Sequence, residues 1–217
     1  LEHAVLAEIQ AGASLCILDA ITSGSALRTP WTSLAAKIKA CGVPVLVDGA
    51  HVPGQDPLVL RELDCDWFAG NLHKWAGAPL GAAVLSVAPE RREQTFALLT
   101  SHHWDEGLSR SFHWTGTRDW SPWLTAPEAW DHMEEFSGGW ETLRAYQRAG
   151  SKALDEAFTM AFGTQSITPD SARTAMCSVP LPESLQGIDC LKFEHEFDQR
   201  FGFRVPMHAL SDLSLIH

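Results

Sequence analysis

No apolar run in the 217 residues approaches the roughly 20 needed to cross a bilayer, so no membrane partner is expected. Leu1 opens no signal-peptide pattern. Basic residues are scarce: 16 Lys and Arg stand against 27 Asp and Glu, a net charge of -11. Without a basic stripe the chain lacks the footprint of a nucleic-acid binder. The five cysteines, Cys16, Cys41, Cys65, Cys177 and Cys190, include no CxxC pair. They read as buried thiols of a cytoplasmic protein, not as a disulfide frame or a zinc site. HExxH spacing, internal repeats and low-complexity segments are also absent, and no metal is expected.

What is present alternates. "SLCILDA" (14–20) and "VPVLVD" (43–48) are short apolar runs of buried-strand type. Between them "WTSLAAKIKACG" (31–42) has helical spacing, with Thr32 or Ser33 as N-cap and Gly42 as stop. Asp56-Pro57 is expected to open a short helix to Leu63. "DWFAG" (66–70) and "GAAVLSV" (81–87) supply two more strands. Strands alternating with helices predict an α/β class with a mainly parallel sheet. Beyond residue 125 the pattern changes to the helices "TAPEAWDHMEEF" and "WETLRAYQRAGSKALDEAFTMAF", broken at Gly138-Gly139. "TAMCSVPLP" and "FRVP" then read as strands around the helical "CLKFEHEFDQRFG". The expected organisation is a large α/β domain over 1–136 and the start of a smaller α+β domain over 137–217. The chain opens directly on a helical pattern and ends on "LSDLSLIH". It therefore reads as a fragment, with weak or absent cofactor binding expected for the chain alone.

Ligands of open α/β sheets bind at the carboxyl ends of strands. Three groups fall there: Asp48 and His51 in "VDGAH", Asn71, His73 and Lys74 after "WFAG", and Thr22 and Ser23 after "CILDA". Lys74 stands among Trp75, Ala76, Gly77 and Ala78. A lysine in a semi-buried, apolar setting tends to the neutral amine, which is nucleophilic toward aldehydes. Pyridoxal phosphate enzymes need such a lysine and an acid that keeps the pyridine nitrogen protonated. Asp48, at a neighbouring strand end, is the candidate acid.

"VLVDGAHVPGQ", "DWFAGNLHKW", "APLGAAVLSV" and "FHWTGTRDW" together resemble the class V aminotransferase family of fold-type I pyridoxal phosphate enzymes, closest to its isopenicillin N epimerase-like branch. "DAITSGSALRTP" and "AMCSVPLP" extend the likeness over nearly the whole chain. The resemblance implies pyridoxal 5'-phosphate as cofactor and an amino-acid substrate. It implies Lys74 as the Schiff-base lysine and acid/base at Cα, Asp48 on the pyridine nitrogen and His51 near the phenolic oxygen. Asn71 and His73 would help hold the phosphate, with Thr22 and Ser23 near the cofactor. Thr117, in the TGTRD loop, would reach the phosphate of a neighbouring subunit, implying a homodimer with shared sites. Arg118 would hold a carboxylate or pair with Asp119. The family's phosphate-cradling turn and ring-stacking residue would precede Leu1, and its carboxylate-binding arginine would follow His217.

The reaction expected is epimerisation, racemisation or transamination at Cα. A C–S lyase or cysteine desulfurase-like reaction is the alternative, although Cys177 and Cys190 sit in strand and helix patterns that suit buried thiols better than a mobile nucleophile. Trp104, Trp114, Trp120 and Trp123, near His102, His103 and His113, read first as core or dimer-interface packing, with the lining of a substrate entrance as the alternative. Two readings from other classes are a catalytically inactive assembly domain and a metal-dependent hydrolase. The second would use Asp48, His51, His73, His102 and His103, and it leaves Lys74 unexplained.

Overall fold

The computed structural model describes residues 1–202, 204–210 and 213–217. The chain forms two compact units. One comprises Leu1–Ala20 with Pro30–Phe136, the other Ile21–Thr29 with Ser137–His217.

The first unit begins with helix α1 (Glu2–Gln10), strand β1 (Cys16–Asp19), helix α2 (Trp31–Ala40) and strand β2 (Val45–Asp48). Strands β3 (Trp67–Asn71) and β4 (Ala83–Val87) follow, then helices α3 (Leu108–His113), α4 (Ser121–Leu124) and α5 (Ala126–Ser137). The sheet order is β1-β2-β3-β4. The first three strands are parallel and β4 is antiparallel, so the sheet is mixed and mainly parallel, as the sequence predicts. Helix α2 buries Trp31, Leu34, Ala35 and Ile38, one stripe at helical spacing. Leu18, Val45, Val47 and Phe68 are buried as well, and the rings of Trp31 and Phe68 stand 5.9 Å apart. A Cβ on Gly49 would meet the Phe68 ring at 2.2 Å, so the turn after β2 lies tight against this core.

Asp66 ties the sheet together at its other end. Its carboxylate accepts the Val45 N–H at 2.8 Å and the Arg91 Nε–H at 2.5 Å, while its own N–H donates to the Val45 carbonyl at 3.0 Å. The start of β2 is thereby fixed to the chain entering β3, although Asp66 is only 2% exposed.

In the second unit, helix α6 (Trp140–Phe162) follows the Gly138-Gly139 break, both glycines at positive φ. Strand β5 (Val179–Pro180), helix α7 (Cys190–Phe201) and strands β6 (Met207–Leu210) and β7 (Leu213–Ile216) complete it, in sheet order β5-β7-β6. Val179, Leu181, Met207 and Ile216 form its core, with Phe158, Phe162 and Phe193 packed against them.

Several local expectations are corrected. Helix α2 starts at Trp31 with Pro30 in the cap position, and the Ser33 hydroxyl donates back to the Pro30 carbonyl instead of capping. Asp56-Pro57 opens no helix; only a 3-10 turn forms, over Leu60–Glu62. The Asp56 N–H is spent on the Val52 carbonyl, closing the preceding turn. "TAMCSVPLP" is strand only at Val179–Pro180, because Thr174 and Ser178 donate their hydroxyls to Ala26 and Gly24 carbonyls. In "FRVP", Phe203 lies outside the described residues and 204–206 are not strand, which starts at Met207. Of the cysteines, Cys65 is buried, Cys41 is exposed and the other three are half-buried. Among the described residues no helix is long and apolar enough to cross a membrane.

Burial alone would raise the Asp66 carboxyl, but the hydrogen bonds from Arg91 and the Val45 N–H outweigh it and hold the group below its ordinary value. Folding therefore favours the charged form. That stabilisation is full above the unfolded-state value of ~3.9 and is lost as pH falls through the lower folded value. The urea midpoint should fall as the pH drops below ~4. In Asp66→Asn it should start lower and respond less to acid. An identical acid response in the variant would show that Asp66 is not the group responsible.

Candidate functional site

The site grows from the ends of β2 and β3. Asp48 closes β2, with Asp19 of β1 and Ala69 of β3 as its register partners. Level residues on neighbouring strands share a face of the sheet. Asp19 and Asp48 are both exposed on that face. Burial, and then the charge of Asp48, push the Asp19 carboxyl above its ordinary value. Asp19 had no role in the sequence reading. The signal was available in "CILD" and "VLVD", two strands ending in the same acid.

The Asp48 carboxylate accepts the Ala50 N–H at 2.9 Å, and the Val52 N–H returns to the Gly49 carbonyl at 2.9 Å. This tight turn carries His51. Behind it Val52 and Pro53 are fully buried.

After β3 the chain makes a second closed loop. The Ala78 N–H donates to the Leu72 carbonyl at 3.1 Å, and the Leu72 N–H donates to the Ala82 carbonyl at 3.0 Å. His73 Nδ1 lies 2.8 Å from the Ala82 carbonyl, which can only accept. Nδ1 therefore carries the His73 proton, and Nε2 is left for another partner. Ala76 and Ala78 turn inward and are buried, whereas Lys74 stands exposed at the crest. The semi-buried setting expected from the sequence is thus corrected: the apolar neighbours of Lys74 pack away from it.

The two loops meet. Lys74 Nζ lies 3.1 Å from His51 Nε2, and the Trp75 indole N–H donates to His51 Nδ1 at 3.2 Å. A Cβ on Gly54, whose φ is +89°, would stand 2.4 Å from the Trp75 carbonyl oxygen. Trp75 is a member of this cluster that the sequence reading passed over. Its only signal was adjacency to Lys74.

The remaining candidates stand as follows. Asn71 ends β3, half-buried and paired with Ala83. Thr117 is exposed in the loop between α3 and α4. Thr22 and Ser23 belong to the second unit. There the Thr22 hydroxyl closes its own turn, 2.6 Å from Ser25 Oγ and accepting the Leu27 N–H at 3.0 Å. Asp119 accepts from the Ser121 hydroxyl and N–H, which hold its carboxyl below the ordinary range. Arg118 instead stacks over Trp120 and Trp123, 4.2 and 4.5 Å from the ring centres. Leu85, Phe112, Trp114, Arg118, Trp120 and Trp123 help line a cavity of about 1060 Å3. Trp114, Trp120 and Trp123 therefore wall a cavity, whereas Trp104 packs on Phe96. Among the described residues no three His, Cys, Asp or Glu side chains converge as metal ligands.

A sequence model of the family described as Aminotransferase class-V matches residues 2–199. The chain is 31% identical over 201 residues to putative L-cysteine desulfhydrase 1 of Oryza sativa subsp. japonica, covering 89% of this chain and 42% of that protein. It is 31% identical over 199 residues to isopenicillin N epimerase of Streptomyces clavuligerus, covering 83% of this chain and 49% of that protein. Among solved structures, an alanine–glyoxylate aminotransferase from Nostoc sp. matches with a TM-score of 0.73 at 15% identity, over 100% of this chain and 59% of that one. At that identity the likeness concerns the fold alone. The chain spans 42% and 49% of the length of the two curated relatives, roughly half.

Gly54→Ala should separate the two loops. Alanine at a positive φ costs upward of ~1 kcal/mol even without a clash. Here the melting temperature should fall by at least ~2–4 °C, and amide exchange at 74–76 should quicken. Unchanged exchange there would mean that Gly54 does not hold the loops together.

Proposed function

Because the chain belongs to the class-V aminotransferase family, whose cofactor is pyridoxal 5'-phosphate, we propose that it carries the proton-transferring part of an enzyme acting at the Cα of an amino acid. The observation that carries this reading is the contact of Lys74 with His51 beside the strand end that bears Asp48. The types of group present suit the cofactor: an exposed amine, a carboxylate at a strand end and imidazole nitrogens on the two loops. Asp48 would hold the pyridine nitrogen, His51 the phenolic oxygen, and Asn71 with the free Nε2 of His73 the phosphate. Thr22 and Ser23 would lie by the cofactor. Thr117 would contribute to the phosphate of a second copy, which makes the working form a homodimer with shared sites. When bound, the cofactor would supply an electron sink for the negative charge left at Cα. Lys74 would take the Cα proton, and the His51 side chain would orient the amine for it.

Epimerisation or racemisation, with transamination beside it, is the first reading of the outcome. Epimerisation is supported by the likeness to isopenicillin N epimerase. Elimination of sulfide is the second reading, supported by the equal likeness to a putative L-cysteine desulfhydrase. Elimination needs no cysteine nucleophile. That agrees with Cys65, whose thiol burial pushes up to about 11, and with Cys177, raised first by burial and then by Asp155.

The test is chemical capture. The chain is mixed with pyridoxal 5'-phosphate, reduced with borohydride, digested and weighed. The expected result is a cofactor-sized mass on the Lys74 peptide, captured even where binding is weak, and lost in Lys74→Ala. Labelling spread evenly over surface lysines would overturn the assignment of Lys74. Amino acids incubated in heavy water then separate the outcomes: inverted substrate marks epimerisation or racemisation, an oxo acid with the amino group transferred marks transamination, and sulfide with pyruvate marks elimination.

A further inference from the structure

We propose that Trp75 is a positioning residue of this site: its indole N–H fixes His51 in the tautomer with the proton on Nε2, so that His51 presents a donor toward the Lys74 nitrogen. The inference follows from counting protons. An indole N–H donates and cannot accept. His51 Nδ1, 3.2 Å from Trp75 Nε1, must therefore offer its lone pair. A neutral imidazole carries one proton, which then sits on Nε2. That atom is 3.1 Å from Lys74 Nζ. For this second contact to be a hydrogen bond, the lysine nitrogen must accept, and an ammonium has no lone pair with which to do so. Both bonds coexist only when Lys74 is the free amine, or when its nitrogen is bonded so that a lone pair remains.

The alternative arrangement carries a conflict. If Lys74 stays an ammonium, it donates to Nε2 and the imidazole proton moves to Nδ1. Nδ1–H then faces the indole N–H at 3.2 Å, donor against donor. Trp75 therefore biases His51 toward one tautomer. The backbones that carry His51 and Trp75 are held in place. Val52 at 0% exposure and Ala76 at 2% anchor the residues next to His51 and Trp75, and Gly54 brings the two backbones together.

A consequence follows for what binds. An Nε2–H donor at this point suits an electron-rich oxygen, such as a phenolate, and disfavours another donor. The relevance to catalysis rests on the reading of Lys74 given above, whereas the lone pair on Nδ1 rests on the Trp75 contact.

The test reads the tautomer directly in the chain without cofactor. Histidine nitrogen shifts are recorded at pH ~8.5, where an ordinary imidazole of pKa ~6.5 is neutral, and His51 is assigned with His51→Gln. The expected wild-type spectrum has a bare Nδ1 and a protonated Nε2. Trp75→Phe should move both shifts toward the other tautomer. Replacing Trp75 with β-(3-benzothienyl)alanine, which keeps the shape and removes the N–H, should do the same in a chain that retains its fold. A wild-type His51 protonated on Nδ1, or shifts unchanged in the benzothienyl chain, would overturn the proposal. If the tautomer responds as stated but Lys74 captures no pyridoxal 5'-phosphate, the inference stands and the cofactor reading falls.

Discussion

Strand β2 lies between β1 and β3 with Asp48 level with Asp19 on one side and Ala69 on the other. That register decides which loops can meet. A shift of one residue would turn Asp48 to the opposite face, where Val45 and Val47 pack among buried neighbours. The buried carboxylate of Asp66 helps to fix the register, because it grips the Val45 N–H where β2 begins. A side chain that takes no part in chemistry thus sets the height at which Asp48 emerges. The glycines continue this constraint. Gly49 lies under the Phe68 ring and Gly54 against the Trp75 carbonyl, so the turn after β2 and the loop after β3 approach at distances that side chains would forbid.

The same constraint explains how an exposed lysine has a defined partner. Exposed amines usually sample many rotamers, and fixing one costs up to ~2 kcal/mol of side-chain entropy. Lys74 is offered a nearby imidazole whose ring is itself held, by Trp75 on one nitrogen and by the buried Val52 and Pro53 behind it. The loop residues flanking Lys74 are anchored by Ala76 and Ala78. Order at the surface is therefore imposed from below.

The parts legible in the sequence were those with local causes. Strand and helix periods located β1 to β4, α2, α5 and α6, since burial alternation and helical stripes are written in consecutive residues. The contact of Lys74 with His51 near the end of β2 was foreshadowed because strand ends gather ligands in this architecture. What escaped depended on distant partners. The exposure of Lys74 depends on which way Ala76 and Ala78 turn, and spacing alone does not say. The stretch at 174–182 has a strand pattern, and nothing in it reveals that Thr174 and Ser178 bind the carbonyls of Ala26 and Gly24. Thr22 and Ser23 read as strand-end ligands, yet their segment belongs to the compact unit formed mostly by residues 137–217.

The likeness to both an epimerase and a putative desulfhydrase is consistent with a chemistry that branches late. Both outcomes begin with loss of the Cα proton. On the proposed reading Lys74 is the base for that step, held in place by His51 and, through it, by Trp75. None of the three side chains selects a leaving group or a face for the returning proton. Changes in the amine's orientation should therefore slow every outcome together. Changes in the walls around the substrate should alter the ratio between them. On the proposed reading Lys74, His51 and Trp75 serve the shared step, and the Arg118 guanidinium, stacked on two indoles, lies outside their contacts.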